Sequence, residues 1–186
     1  MSLTYFKRYQ MELDLQTLDI PTSELPGGYR FAAWSEDDLT RHAEIKHISF
    51  RNEIDANVFT CFRDVEGCQR LLREISGRSN FLPDATWLLE YDDPTTETTT
   101  TVGTIQALVD MHQRGAIQNI GIHPDHRGHG LGTSLLFKCF TYVKARGLSR
   151  VMLEVTSQNI GALRLYKRLG FRIIKTVYKP APIFTY

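Results

Sequence analysis

No apolar stretch in the sequence approaches the length needed to cross a bilayer, and no charged segment followed by an apolar run opens the chain, so a soluble, unsecreted, cytoplasmic protein is expected. Only three cysteines occur, Cys61, Cys68 and Cys139, without the paired spacing of a metal site. They read as reduced thiols, and no metal is expected. Charge of one sign is also missing: 22 Lys and Arg against 21 Asp and Glu leave +1, which argues against a nucleic-acid partner or a polybasic membrane anchor. There is no internal repeat. Two phosphate-binding patterns are absent as well. No lysine precedes Thr133, as a Gly-x-x-x-x-Gly-Lys-Ser/Thr loop requires, and Gly128, Gly130 and Gly132 do not have Gly-x-Gly-x-x-Gly spacing.

What is present centres on Ile120 to Leu136. The apolar Ala116, Ile117, Ile120 and Ile122 between turn residues predict a buried strand, and the spacing after Gly132 predicts a helix. Between them Gly128, Gly130 and Gly132 alternate with Arg127, His129 and Leu131. Such a backbone can approach a ligand closely, and the amides and dipole of a helix start suit a phosphate or diphosphate. A tight turn without a ligand is the competing reading of the same six residues.

The rest of the chain, at 186 residues and 42% hydrophobic, can bury one good core. Apolar odd positions at Tyr5, Tyr9, Met11, Leu13 and Leu15 predict a half-buried strand, set off by a loop with Pro21, Pro26, Gly27 and Gly28. Residues 1–28 are therefore expected to be an extension carrying an extra strand, paired either at a sheet edge or with a second subunit of a homodimer. Residues 29–186 form the expected main domain. Within it, Tyr29 to Trp34 reads as a strand. Ser35 caps a helix bearing Leu39, Ala43, Lys46 and Phe50, and Asp64 caps another bearing Cys68, Leu71, Leu72 and Ile75, ending near Gly77.

Thr86 to Tyr91 and Val102 to Met111 read as strands, with the threonine-rich run between them as a solvated hairpin tip. The helix after Gly132 presents Leu131, Leu135, Leu136, Cys139, Phe140 and Val143 on one face and stops at Gly147. Val151 to Val155 is a strand, Asn159 caps a last helix ending at Gly170, and Phe171 to Tyr178 is a closing strand, beyond which Pro180 and Pro182 restrict the chain. This order predicts an α/β chain with a mixed sheet of six to seven strands, helices on both faces and a parallel crossover around the glycine-loop helix.

The segment Arg127-Gly128-His129-Gly130-Leu131-Gly132 resembles the acetyl-CoA signature Arg/Gln-x-x-Gly-x-Gly/Ala of the GNAT superfamily of N-acetyltransferases. A second segment, Leu153 to Phe171 with Asn159, Ala162, Tyr166, Gly170 and Phe171, is similar to that family's strand, Asn cap, Ala-x-x-x-Tyr helix and Gly-Phe ending. The resemblance spans roughly Tyr29 to Tyr178 and implies the GNAT-like acyl-CoA N-acyltransferase fold and acetyl-CoA as cosubstrate.

By that resemblance, the backbone of Ile120, Gly121 and Ile122 pairs with the pantetheine arm, the amides of Arg127, Gly128, His129, Gly130, Leu131, Gly132 and Thr133 hold the diphosphate, and Asn159 and Tyr166 contact the cofactor. Strand amides without sheet partners must find others, which such an arm supplies. Tyr166 is the implied general acid, since a phenol of pKa about 10 stays protonated at neutral pH and can donate to the departing thiolate. Apart from the pattern, Tyr166 reads as a core aromatic and Asn159 as a helix cap. His123, His126 and His129 read as solvent-facing or phosphate-adjacent.

No general base is assigned. Some relatives that acetylate protein N-termini carry a glutamate early in the strand before the loop, whereas His112-Gln113-Arg114-Gly115-Ala116 holds no carboxylate here. Asp110, His112 and Glu154 read either as groups able to relay a proton through water or as solvated strand residues. The acceptor is expected to be an amine, whether a small amine, an amino acid, an antibiotic or a protein N-terminus, with Arg51, Glu53, Asp55, Phe59, Phe62, Arg63 and Asp64 shaping its pocket. The second motif looks most like that of ribosomal-protein alanine N-acetyltransferases. A noncatalytic acetyl-CoA-binding or sensing module and a nucleotide-phosphate binder are the alternatives.

Overall fold

The structure, a computed structural model, describes residues 3–22 and 24–182. The ends of the two expected segments, residues 1–2 and 183–186, lie outside the described residues. The strands are β1 (Leu3–Asp14), β2 (Tyr29–Ala33), β3 (Trp87–Asp93), β4 (Thr98–Val109), β5 (Gly115–Ile122), β6 (Arg150–Thr156) and β7 (Arg172–Pro182). The helices are α1 (Leu39–Phe50), α2 (Asp55–Val58), α3 (Val65–Ser76), α4 (Leu131–Ala145) and α5 (Ile160–Arg168). One seven-stranded sheet runs β2-β3-β4-β5-β6-β1-β7. Every neighbour is antiparallel except β5 and β6, which are joined by α4 and pair in parallel, as expected.

Helices cover both faces because successive strand residues point to opposite sides. Ala107 and Ile117 pack in the core that holds Leu131, Leu135, Leu136, Cys139, Phe140 and Val143 of α4. Their neighbours Leu108 and Ala116 pack with Ile75 of α3. Two expected caps form, Asp64 accepting from the Gly67 amide and Asn159 from Ala162. Ser35 instead accepts from the Asp37 amide and caps a 3-10 turn, Glu36–Asp38, ahead of α1, whose own N-cap Asp38 makes no side-chain capping bond. Gly147, with φ +79°, and Gly170, with φ +96°, take the left-handed turns that end α4 and α5.

The sheet corrects three expectations. β1 lies at neither an edge nor a subunit interface; it is an interior strand, bonded to β6 on one side and β7 on the other. Alternation reports how many faces are buried, not how many neighbours a strand has, and β6 and β7 leave between them a strand-wide slot that β1 fills. The threonine run is not all hairpin tip, since Thr98 to Thr101 pair with Glu90 to Asp93, consistent with the β preference of threonine. The last strand runs through Pro180 to Pro182, because β7 is the sheet edge and an edge strand tolerates missing donors. The short helix α2 was not anticipated.

Candidate active site

The loop between β5 and α4 is shaped by two glycines in the left-handed region, Gly128 at φ +82° and Gly130 at φ +75°. The first bond of α4 runs from the Ser134 amide to the Gly130 carbonyl at 3.0 Å. Among the described residues, the amides of Gly128, His129, Gly130, Leu131, Gly132 and Thr133 have no backbone acceptor. Consecutive free donors at a helix start form an anion cradle. Arg127 braces the cradle: its amide donates to Pro124, and its guanidinium donates to the carbonyls of Ile122 at 3.1 Å and Ser49 at 2.8 Å and to Glu53.

β5 and β6 pair only over Gly115 to Ile117 and then part. The His123 amide donates to the Val102 carbonyl, so the alternation of an antiparallel ladder turns the main-chain groups of Gly121 toward β4 and those of Ile120 and Ile122 toward the gap. Gly121 is needed for a different reason. A Cβ there stands 2.7 Å from the Ser49 Cβ, so α1 crosses β5 too closely for any side chain.

Two cavities meet at this gap. A groove of about 940 Å³ runs along Ile120 to Ile122, the glycine loop and α5, while a pocket of about 210 Å³ lies between the splayed strands, α2 and α3. Phe50, Ile120, Asn159, Ala162 and Tyr166 line both. Tyr166 is buried against Phe171, and its hydroxyl makes no hydrogen bond to another described residue. Burial, and then the nearby Asp55 carboxylate, push its pKa well above the usual 10.

A buried ionic cluster floors the pocket. Arg8, 5% exposed, donates through Nη1 to Thr156 Oγ1 at 2.7 Å and to Asp55 Oδ1 at 3.4 Å, and through Nη2 to the Glu154 carbonyl at 3.2 Å. Its Nε lies 3.4 Å from Glu154 Oε2, and its guanidinium sits over the Phe59 ring at 4.7 Å. Asp55 also accepts from Thr156 Oγ1 at 2.8 Å and from Asn159 Nδ2 at 3.1 Å. β1, α2, β6 and the α5 cap are thus tied at one point beside Tyr166.

The sequence model of the acetyltransferase (GNAT) family matches residues 51–171, more than half of the chain and inclusive of the glycine loop, Asn159 and Tyr166. The chain belongs to the GNAT family. Segments of it are similar to a mycothiol acetyltransferase of Streptosporangium roseum, 44% identical over 31% of this chain and 17% of that protein, and to a streptothricin acetyltransferase of Streptomyces lavendulae, 38% identical over 32% of each. The matched segments span under a third of these relatives' lengths. Among solved structures, a GCN5-related N-acetyltransferase from Sphaerobacter thermophilus superposes with TM-score 0.67 and 21% identity, covering 94% of this chain and 50% of that one. The ribosomal-protein-S18-alanine N-acetyltransferase from Escherichia coli does so with TM-score 0.59 and 17% identity, covering 85% and 96%. Both show the shared GNAT fold.

Within this candidate site the expected residues separate by position. Ile120, Gly121, Ile122, Arg127, Gly128, Gly130, Leu131, Gly132, Thr133, Asn159 and Tyr166 line the groove, and His129 is exposed on its loop. His126 also borders the groove, with Nδ1 2.8 Å from the Tyr29 hydroxyl; burial and then His123 lower its pKa. Of the three relay candidates, Asp110 is held by Arg114 in the turn before β5 and His112 is exposed there, while Glu154 alone lines the pocket. Arg8 was not legible in the sequence, because its position in the β1 alternation reads as solvent-facing, and neither was Asn119, which follows Gln118 in a strand whose other side chains are apolar or glycine. Asn119 lines the pocket, is 8% exposed, and its Oδ1 has no partner among the described residues.

Proposed function

We propose that the chain is an acyltransferase that moves an acetyl group from acetyl-CoA to a primary amine by direct attack in a ternary complex. The observation that carries this reading is the placement of Tyr166 where groove and pocket meet, its hydroxyl unbonded to other described residues. The groove fits a diphosphate-bearing thioester in its own chemistry, with six consecutive amides free at the loop and the main chain of Ile120 and Ile122 facing the gap. An amide of that strand can donate to the thioester carbonyl as negative charge develops on its oxygen.

In the reaction the amine nitrogen bonds to the carbonyl carbon, the carbon–sulfur bond breaks, and the proton lost by nitrogen passes to solvent directly or through Glu154. Tyr166 donates to the departing sulfur as general acid. Its raised pKa keeps it protonated across the working range but makes full transfer to a thiolate uphill, so its hydrogen bond supplies most of the stabilisation. An α-amino group or a weakly basic amine needs less help to lose its proton than a lysine side chain. An amine-panel screen for acetyl-CoA-dependent thiol release tests the reading. Release that rises with amine concentration and yields an N-acetyl product supports it, whereas binding of acetyl-CoA without turnover on any amine identifies a sensing module instead.

A further inference from the structure

The acceptor pocket has a chemistry of its own. Its walls include Phe50, Phe59, Leu71 and Ile75, and it is less than a quarter the size of the neighbouring groove. Its charged lining consists of two carboxylates, Asp55 and Glu154, against one guanidinium, Arg8, which leaves one negative charge in excess. Arg8 already donates to Thr156, Asp55 and Glu154, so it offers little to an incoming anion. Asn119 shares the α1-facing side of β5 with Gly121, and its buried Oδ1 is an acceptor without a donor among the described residues. A buried acceptor of this kind costs free energy until something donates to it.

Resting on the acyltransferase reading above, we infer that the acceptor is a compact primary amine on an apolar carbon skeleton, with one positive charge and no neighbouring carboxylate, whose nitrogen donates to Asn119 Oδ1. The excess carboxylate attracts a single ammonium before it is deprotonated, and the apolar walls accept its carbon skeleton. A free amino acid brings its carboxylate against Asp55 and Glu154, and a polyamine brings charges that the apolar walls cannot hydrate. The same chemistry is met by a free monoamine or by the N-terminus of a peptide that starts with an apolar residue.

The test is thiol release with matched acceptors: phenethylamine and isoamylamine, phenylalanine, spermidine, kanamycin, and a short peptide amide with an N-terminal leucine. Expected is a kcat/KM for phenethylamine, for the peptide, or for both, at least tenfold above those for phenylalanine, spermidine and kanamycin, and the winner identifies the source of the amine. Equal or better turnover of phenylalanine, spermidine or kanamycin overturns the inference while leaving the acyltransferase reading intact, and absence of turnover with every amine removes both. Asn119→Leu should raise the amine KM about tenfold with the acetyl-CoA KM unchanged, and Asn119→Asp, which keeps the acceptor oxygen, should restore amine binding. An amine KM unmoved by Asn119→Leu, or left unrescued by Asn119→Asp, overturns the role of Asn119. Acetyl-CoA-induced thermal shifts confirm that each variant is folded.

Discussion

Asn159 holds Asp55 with Nδ2 at 3.1 Å while its Oδ1, also at 3.1 Å, accepts from the Ala162 amide at the start of α5. One side chain therefore both caps a helix and orients a pocket carboxylate. The two roles separate by substitution. Asn159→Ala should cost about 1 kcal/mol, the usual value of a lost cap, and Asn159→Ser should recover most of it. Neither variant can hold Asp55, so the acceptor KM should rise in both. Thermal melts and steady-state kinetics check this, and a serine variant with a normal acceptor KM contradicts it.

Tyr166→Phe keeps the ring packing against Phe171, 5.7 Å between centroids, and removes only a hydroxyl with no partner among the described residues. Stability should hardly change. Turnover should fall about a hundredfold or more, the scale of a lost proton donor, with acetyl-CoA affinity within a few-fold of the parent. Titration by calorimetry beside single-turnover kinetics separates the two quantities.

Gly121→Ala forces a methyl to 2.7 Å from the Ser49 Cβ, an overpacking worth about 1–3 kcal/mol. Ser49→Gly removes the obstacle at the cost of a glycine near the end of α1. The double variant should be more stable than the sum of the two singles predicts, by at least about 1 kcal/mol in a thermodynamic cycle from urea denaturation. Additive effects would show that α1 does not press on β5.

Lys46 is fully buried on α1, its Nζ donating to Gln106 Oε1 at 2.5 Å, and burial lowers its pKa from 10.5 to about 7. Between those two values the unfolded chain holds a proton that the folded chain has released, so stability gains with rising pH at up to ~1.4 kcal/mol per unit. Below pH 7 both states are protonated and the folded state bears the whole cost. Lys46→Met should flatten the stability profile between pH 7 and 10. His42 acts in the adjoining window. Burial lowers its pKa from 6.5 to about 3, so its contribution is lost as pH falls below 6.5. Denaturation midpoints from pH 4 to 10 test both, and an unchanged slope in Lys46→Met above pH 7 removes the lysine assignment.

Local pattern carried much of the fold. The buried stripe of α4, the caps at Asp64 and Asn159 and the glycine turns all depend on residues within one or two turns of each other, and each stands where the local pattern places it. The sheet order was not legible, because no neighbour-to-neighbour rule says that β1 enters between β6 and β7. The floor of the candidate site was hidden for the same reason. Asp55 was one of several charges in its region, and its partners Arg8, Thr156 and Asn159 are 47, 101 and 104 residues away.

The interior position of β1 bears on how the chain is made. Of the strands of this sheet β1 is synthesised before the others, yet both of its partners are built more than 130 residues later, so it waits unpaired until they follow. The half of the sheet from β2 to β5 can assemble meanwhile. Closure of the far half then depends on Leu3–Asp14 entering between β6 and β7 once both are made, which makes that strand a keystone of the sheet.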